Sequence, residues 1–156
     1  MPLFFPTRIS NIDNLEAAAK VPPVRDDREL QAQISRFLCV LSSGLIEQSL
    51  IIILENYSAA RSHPRVSQYT NSQLARIQNA KFEDILSTLG RFDSAWRQYF
   101  EDTTAGEVKA AIDSLVNNRN QISHGGQVNI SLAIFSEYYR LLKKFILDLD
   151  TYIATS

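Results

Sequence analysis

Arg119, Asn120 and His124 are the side chains of this 156-residue chain whose types and spacing best suit chemistry. They fall in Asn118-Arg119-Asn120-Gln121-Ile122-Ser123-His124-Gly125-Gly126, which its diglycine marks as the closing turns of a helix. An imidazole exchanges a proton near neutral pH, a guanidinium is a permanent cation with a planar fork of donors, and a carboxamide both donates and accepts. At fixed helical offsets, the three could move a proton and stabilise a developing negative charge. In a projection at about 100° per residue from Ile112, Leu115 and Val116 straddle the Ile112 direction and Arg119 returns almost onto it. A cation thus stands at the centre of an apolar stripe, where it needs a partner. Asn120 and His124 are neighbours on the flank of that stripe with Asn117 beside them.

The spacing alone is weak. With eleven Arg and two His, an Arg five places before a His arises by chance in about one chain in seven. A His ahead of a helix-ending glycine is also a common structural choice. Glu47 is a supporting candidate: it is the only charged residue in Phe37–Leu54, on a helix apolar nearly all round, where a carboxylate is costly without a cation or hydrogen bonds. Arg119 is its obvious partner, and solvent or another Arg is the alternative. His63 precedes Pro64 in a loop and reads as structural or solvated. Arg61, Arg65 and Arg76 could form a basic rim for RNA, or simply a solvated surface.

These residues must be positioned by helices. Pro22-Pro23 ends a short first helix, about Ile9–Ala19, so residues 1–25 read as that helix and a linker. Asp26 with Glu29 reads as a capping box opening a long second helix to about Ala60. Ile34, Phe37, Leu38, Leu41, Leu45 and Ile52 follow its 3.6-residue period while Ile46, Leu50 and Ile53 fill the other side, so this is expected to be the central helix. A third helix is expected over about Arg65–Gln78, and a fourth helical region over Phe82–Phe100 with Gly90 as the candidate break. Thr104 with Glu107 reads as a capping box for the motif helix, which stops at Gly125-Gly126. The last, about Ser131–Ile153, carries Phe135, Tyr138, Leu142, Phe145, Leu149 and Tyr152 at alternating spacings of three and four, a packing seam. Without strand patterning or repeats, the chain is expected to be all-α, an antiparallel bundle of four to five main helices forming one domain over residues 1–156.

Composition narrows the chemistry. A net charge of −1 argues against a general phosphate-coating surface, so any nucleic-acid contact must be local. The single Cys39 excludes an intrachain disulfide, and two His with one Cys do not complete a usual zinc set. Neither metal nor cofactor is expected. There is no Gly-rich phosphate loop and no Gly-x-Ser-x-Gly elbow. Cys39 in an apolar run suggests a reducing cytoplasm, Met1–Pro6 is a poor secretion signal, and Phe37–Leu54 suits a buried helix better than a membrane span.

The string Ile112–Gly125 resembles the Arg-x4-6-His signature of the HEPN superfamily, including the polar residue after the Arg and the Gly after the His. Ser62-His63-Pro64-Arg65-Val66 leading to Tyr69, then Gln73-Leu74, Phe92, Trp96 and the helix after Asn129-Ile130-Ser131, resemble the RiboL-PSP or MAE-type members. The resemblance implies a metal-independent endoribonuclease that uses the substrate's own 2′-OH and leaves a 2′,3′-cyclic phosphate. Arg119 and His124 would be the catalytic pair, supported by Asn120 and Glu47. It also implies a homodimer with a composite site, and a toxin or phage-defence role alongside an antitoxin or other defence-system protein. The alternative is a non-catalytic HEPN module that binds RNA or a partner protein.

Overall fold

The computed structural model describes residues 4–156; Met1–Leu3, part of the stretch read as a poor secretion signal, lie outside them. Seven α-helices follow one another: α1 (Phe4–Ala19), α2 (Arg28–Arg61), α3 (Pro64–Leu74), α4 (Phe82–Phe92), α5 (Ser94–Thr103), α6 (Gly106–Ser123) and α7 (Leu132–Ala154). No strand occurs among the described residues. The expected all-α class holds, with α1, α2, α6 and α7 as the long members at 16 residues or more.

The 34-residue α2 is central, packing against α1, α3, α6 and α7. Its Leu38, Leu45 and Leu54 are fully buried, as expected of a helix apolar on several faces. By length and composition α2 could cross a membrane, yet most of its apolar window is covered by the surrounding helices. Cys39 lies inside this core, and burial pushes its thiol up to about 12, so it remains a protonated apolar filler. The α7 seam is also realised: Phe135, Leu142, Phe145 and Leu149 are buried, with Tyr138 and Tyr152 half-buried at its edges. Phe37 departs from expectation, for it is 53% exposed.

Helix boundaries moved where capping was misassigned. Asp27, not Asp26, caps α2, accepting from the Leu30 N–H at 3.0 Å, because Asp26 is held in the 3-10 turn Val24–Asp26 and only Asp27 has the extended backbone an N-cap needs. Thr104 makes no box with Glu107: its N–H closes α5 on the Phe100 carbonyl, which leaves Ala105 as the N-cap of α6. The fourth region breaks at Asp93 rather than Gly90. Asp93 is extended, ends α4 and caps α5 through the Ala95 N–H at 2.8 Å. α1 starts before Ile9, at Phe4, and α3 stops at Leu74, leaving a loop to Lys81 that matters for the site.

Candidate functional site

His124 is the C-cap of α6 and is exposed. Behind it the chain closes in a double hydrogen bond: the Gly126 N–H donates to the Gln121 carbonyl at 2.8 Å and the Gly125 N–H to the Ile122 carbonyl at 3.1 Å. Each glycine is needed for a different reason. Gly125 sits at φ 75°, in the left-handed region. A Cβ on Gly126 would lie 2.9 Å from the Gln121 oxygen. The loop beyond is pinned to α2, since Arg36 Nε donates to the Val128 carbonyl at 3.2 Å. The imidazole therefore projects from a fixed backbone, and its ring makes no hydrogen bond among the described residues.

Arg119 lies five residues back, roughly 140° away around the helix and about 7.5 Å along its axis. The apolar stripe it shares with Ile112, Leu115 and Val116 is wholly buried inside the subunit. That stripe is consequently core and does not supply a two-fold interface. The half-buried guanidinium donates through Nη1 to Asn79 Oδ1, in the loop between α3 and α4. Only one of its five N–H donors is so used.

Glu47 does not meet Arg119 directly. Its Oε1 accepts from the backbone N–H of Asn79 at 2.5 Å, so one asparagine receives the cation on its side chain and the carboxylate on its backbone. A partially buried carboxylate finds a short, charge-assisted hydrogen bond there, which offsets its desolvation. Asp113, six residues before Arg119 on α6, grips the same loop by accepting from the Phe82 N–H at 2.8 Å. Asn79 is the residue that sequence reasoning missed. Its φ of 53° is the only positive value outside glycine among the described residues, and asparagine between two helices is one of the few residue types that tolerate it.

The other candidates separate. Arg61 lies fourteen residues past Glu47, about 21 Å along α2, where it donates to the Ser156 carbonyl at 3.0 Å and covers the Tyr57 ring at 4.3 Å. His63 caps α3, its Nδ1 accepting from the Arg65 N–H at 3.3 Å, the structural role anticipated for it. Arg65 is exposed at that same remote turn. Only Arg76, exposed three residues before Asn79, lies at the Arg119 end, because α3 carries the chain back along α2. Asn120 is half-buried, and its carboxamide has no hydrogen-bond partner among the described residues. No cluster of three His, Cys, Asp or Glu able to hold a metal occurs among the described residues.

A family model described as RiboL-PSP-HEPN matches residues 6–155. The chain belongs to the RiboL-PSP-HEPN family. No curated protein and no solved structure gives a match. Two grooves of this HEPN domain bear on the site. One, of about 400 Å³, runs beside the last turns of α6 and is walled by Asn117, Gln121, Gln127 and Tyr138. A larger groove of about 740 Å³ lies at the opposite end of α6, around Tyr99, Glu107 and Lys144, some 27 Å of helix from His124. Size favours the second as a pocket, but the Arg119–His124 string is at the first.

Proposed function

We propose that this HEPN chain is a metal-independent endoribonuclease. The 2′-OH of the RNA substrate attacks the adjacent phosphorus, the P–O5′ bond breaks, and the products carry a 2′,3′-cyclic phosphate and a 5′-OH. His124 moves the proton, Arg119 neutralises charge on the phosphorane-like transition state, and Asn120 orients the phosphate. Glu47 contributes by holding Asn79, and through it Arg119, in place. The observation that carries the reading is an exposed, unpaired imidazole fixed at a helix end in a chain that a HEPN family model matches almost throughout.

One copy directs Arg119 and His124 away from each other and offers one imidazole, whereas transphosphorylation profits from both a base and an acid. A homodimer whose two motifs meet in one cleft supplies both. The buried α6 stripe is not available for this contact, but α2 leaves Leu30 and Phe37 exposed at 41% and 53%. The setting we propose is a cytoplasmic toxin or phage-defence component, restrained by an antitoxin or another protein of its system.

A second reading is a non-catalytic module that binds RNA or a partner protein. It is favoured by the bond from Arg119 to Asn79, which gives the arginine a fold-holding task, and by the net charge of −1. Incubation of the protein with mixed cellular RNA in EDTA, beside His124→Ala, separates the two. Cleavage by the parent alone, with new cyclic-phosphate ends, supports the nuclease; two intact RNA pools from folded proteins support the binding module.

A further inference from the structure

Beside His124 the surface changes character. Six of the chain's eighteen Asn and Gln residues fall within residues 117–129, and five of them, Asn117, Asn118, Gln121, Gln127 and Asn129, line the groove of about 400 Å³ between α6, the following loop and α7. None of these five carboxamides bonds to another described residue through its side chain, and no charged residue lines the groove. The remaining wall is largely apolar: Val128 and Ile130 lie in its floor, and Ile134, 47% exposed, stands one turn from Tyr138 on α7.

This is the wrong chemistry for a phosphate, which calls for cations, and the right one for a nucleobase. A base needs an apolar surface for its ring and neutral groups that donate and accept for its edge. Carboxamides supply both functions in one plane, and their preferred partner is adenine, to which Asn or Gln bonds at N6 and N7 together. Placement agrees. Asn117 is two turns before His124, within about 20° of it around α6 and about 10 Å back along the axis, and Gln121 lies less than one turn before it. We infer that the groove is the base-reading subsite of this domain, holding an unstacked adenine of single-stranded RNA next to the phosphate at His124. The inference rests on the nuclease reading for the position of that phosphate, while the recognition chemistry belongs to the groove itself.

The test uses oligomers of A, U or C, roughly twelve nucleotides long, within the length one single-strand site covers. Their 2′-O-methyl forms cannot be cut by 2′-OH attack, so fluorescence anisotropy reads binding alone; the matching RNAs read cleavage. The A oligomer should bind roughly tenfold more tightly than the U or C oligomer, the discrimination expected of one good bidentate contact. The variant Asn117→Ala/Gln121→Ala should bring A down to the level of U with an unchanged thermal midpoint, since neither side chain has an internal partner to orphan. Equal binding of all three oligomers, a preference that survives the double substitution, or no binding at all overturns the inference. Cleavage without base preference sinks the subsite and leaves the nuclease standing. A substitution-sensitive A preference without cleavage of the RNA forms does the reverse.

Discussion

Arg119 and His124 belong to one motif and one helix, yet they occupy two different kinds of site. Arg119 is half-buried and tied to Asn79, whose backbone is tied in turn to Glu47, so the arginine closes a network that fixes the α3–α4 loop against α2 and α6. His124 is exposed at the helix end, its backbone held by two glycines and its ring left free. The difference teaches that loss of activity means different things at the two positions. Under the proposed mechanism it would report chemistry at His124, while at Arg119 it would mix chemistry with the position of a loop.

The largest effect should come from His124. Replacing it with Ala should lower RNA cleavage by on the order of 10²–10⁴, the usual contribution of a positioned proton-transfer group, while leaving the unfolding free energy in urea within about 0.5 kcal/mol of the parent because an exposed ring is lost. Arg119→Ala should also lower cleavage but cost about 1–3 kcal/mol of stability, since the Asn79 amide oxygen loses its charged donor. Equal stabilities for the two variants would erase the distinction. Unfolding of His124→Ala would reverse it.

A smaller effect sharpens the Arg119 side. Asn79→Gly keeps the backbone N–H that Glu47 uses and tolerates φ 53°, but deletes the oxygen that Arg119 uses. Asn79→Ala deletes the same oxygen and adds backbone strain of about 1 kcal/mol. Denaturant unfolding should therefore rank parent above Asn79→Gly above Asn79→Ala. A double-mutant cycle of Glu47→Ala with Arg119→Ala should show coupling of about 0.5–3 kcal/mol that largely disappears in the Asn79→Gly background. Coupling that persists undiminished there would mean the two charges act on each other through space without the asparagine.

The same contrast explains what the sequence disclosed. His124 and its glycines were legible because helix endings are written locally: a left-handed glycine after the last turn, and a second glycine where a carbonyl approaches closely. The helical class and the α7 seam were legible because a 3.6-residue period survives without knowledge of partners. Glu47 was conspicuous through the cost of a carboxylate in an apolar helix, but its partner was not, for Asn79 lies 32 residues away and reaches it with a backbone N–H that no side-chain pattern announces. The link from Arg119 to Asn79 spans 40 residues and depends on a loop conformation. The capping residues at the starts of α2 and α6 share another cause: neighbours of Asp26 and Thr104 could cap as well, and only the backbone angles decide which one does.

The two glycines offer the finest test of the His124 side, because they separate stability from placement. Gly125→Ala meets no neighbouring atom, so its cost is the left-handed backbone alone, about 1–2 kcal/mol; if the turn holds, His124 stays where it is and cleavage falls little among folded molecules. Gly126→Ala puts a methyl 2.9 Å from the Gln121 carbonyl, which must move, and that carbonyl belongs to the turn from which the imidazole projects. Its effect on stability should be of similar size, but cleavage at saturating RNA should drop further than for Gly125→Ala, since small misplacement of a catalytic group is costly. Gly125→Asn, which tolerates the left-handed region, should recover most of the stability lost in Gly125→Ala. If both glycine variants lose stability and activity in the same proportion, the close approach at Gly126 does not position His124, and the diglycine serves only to end the helix.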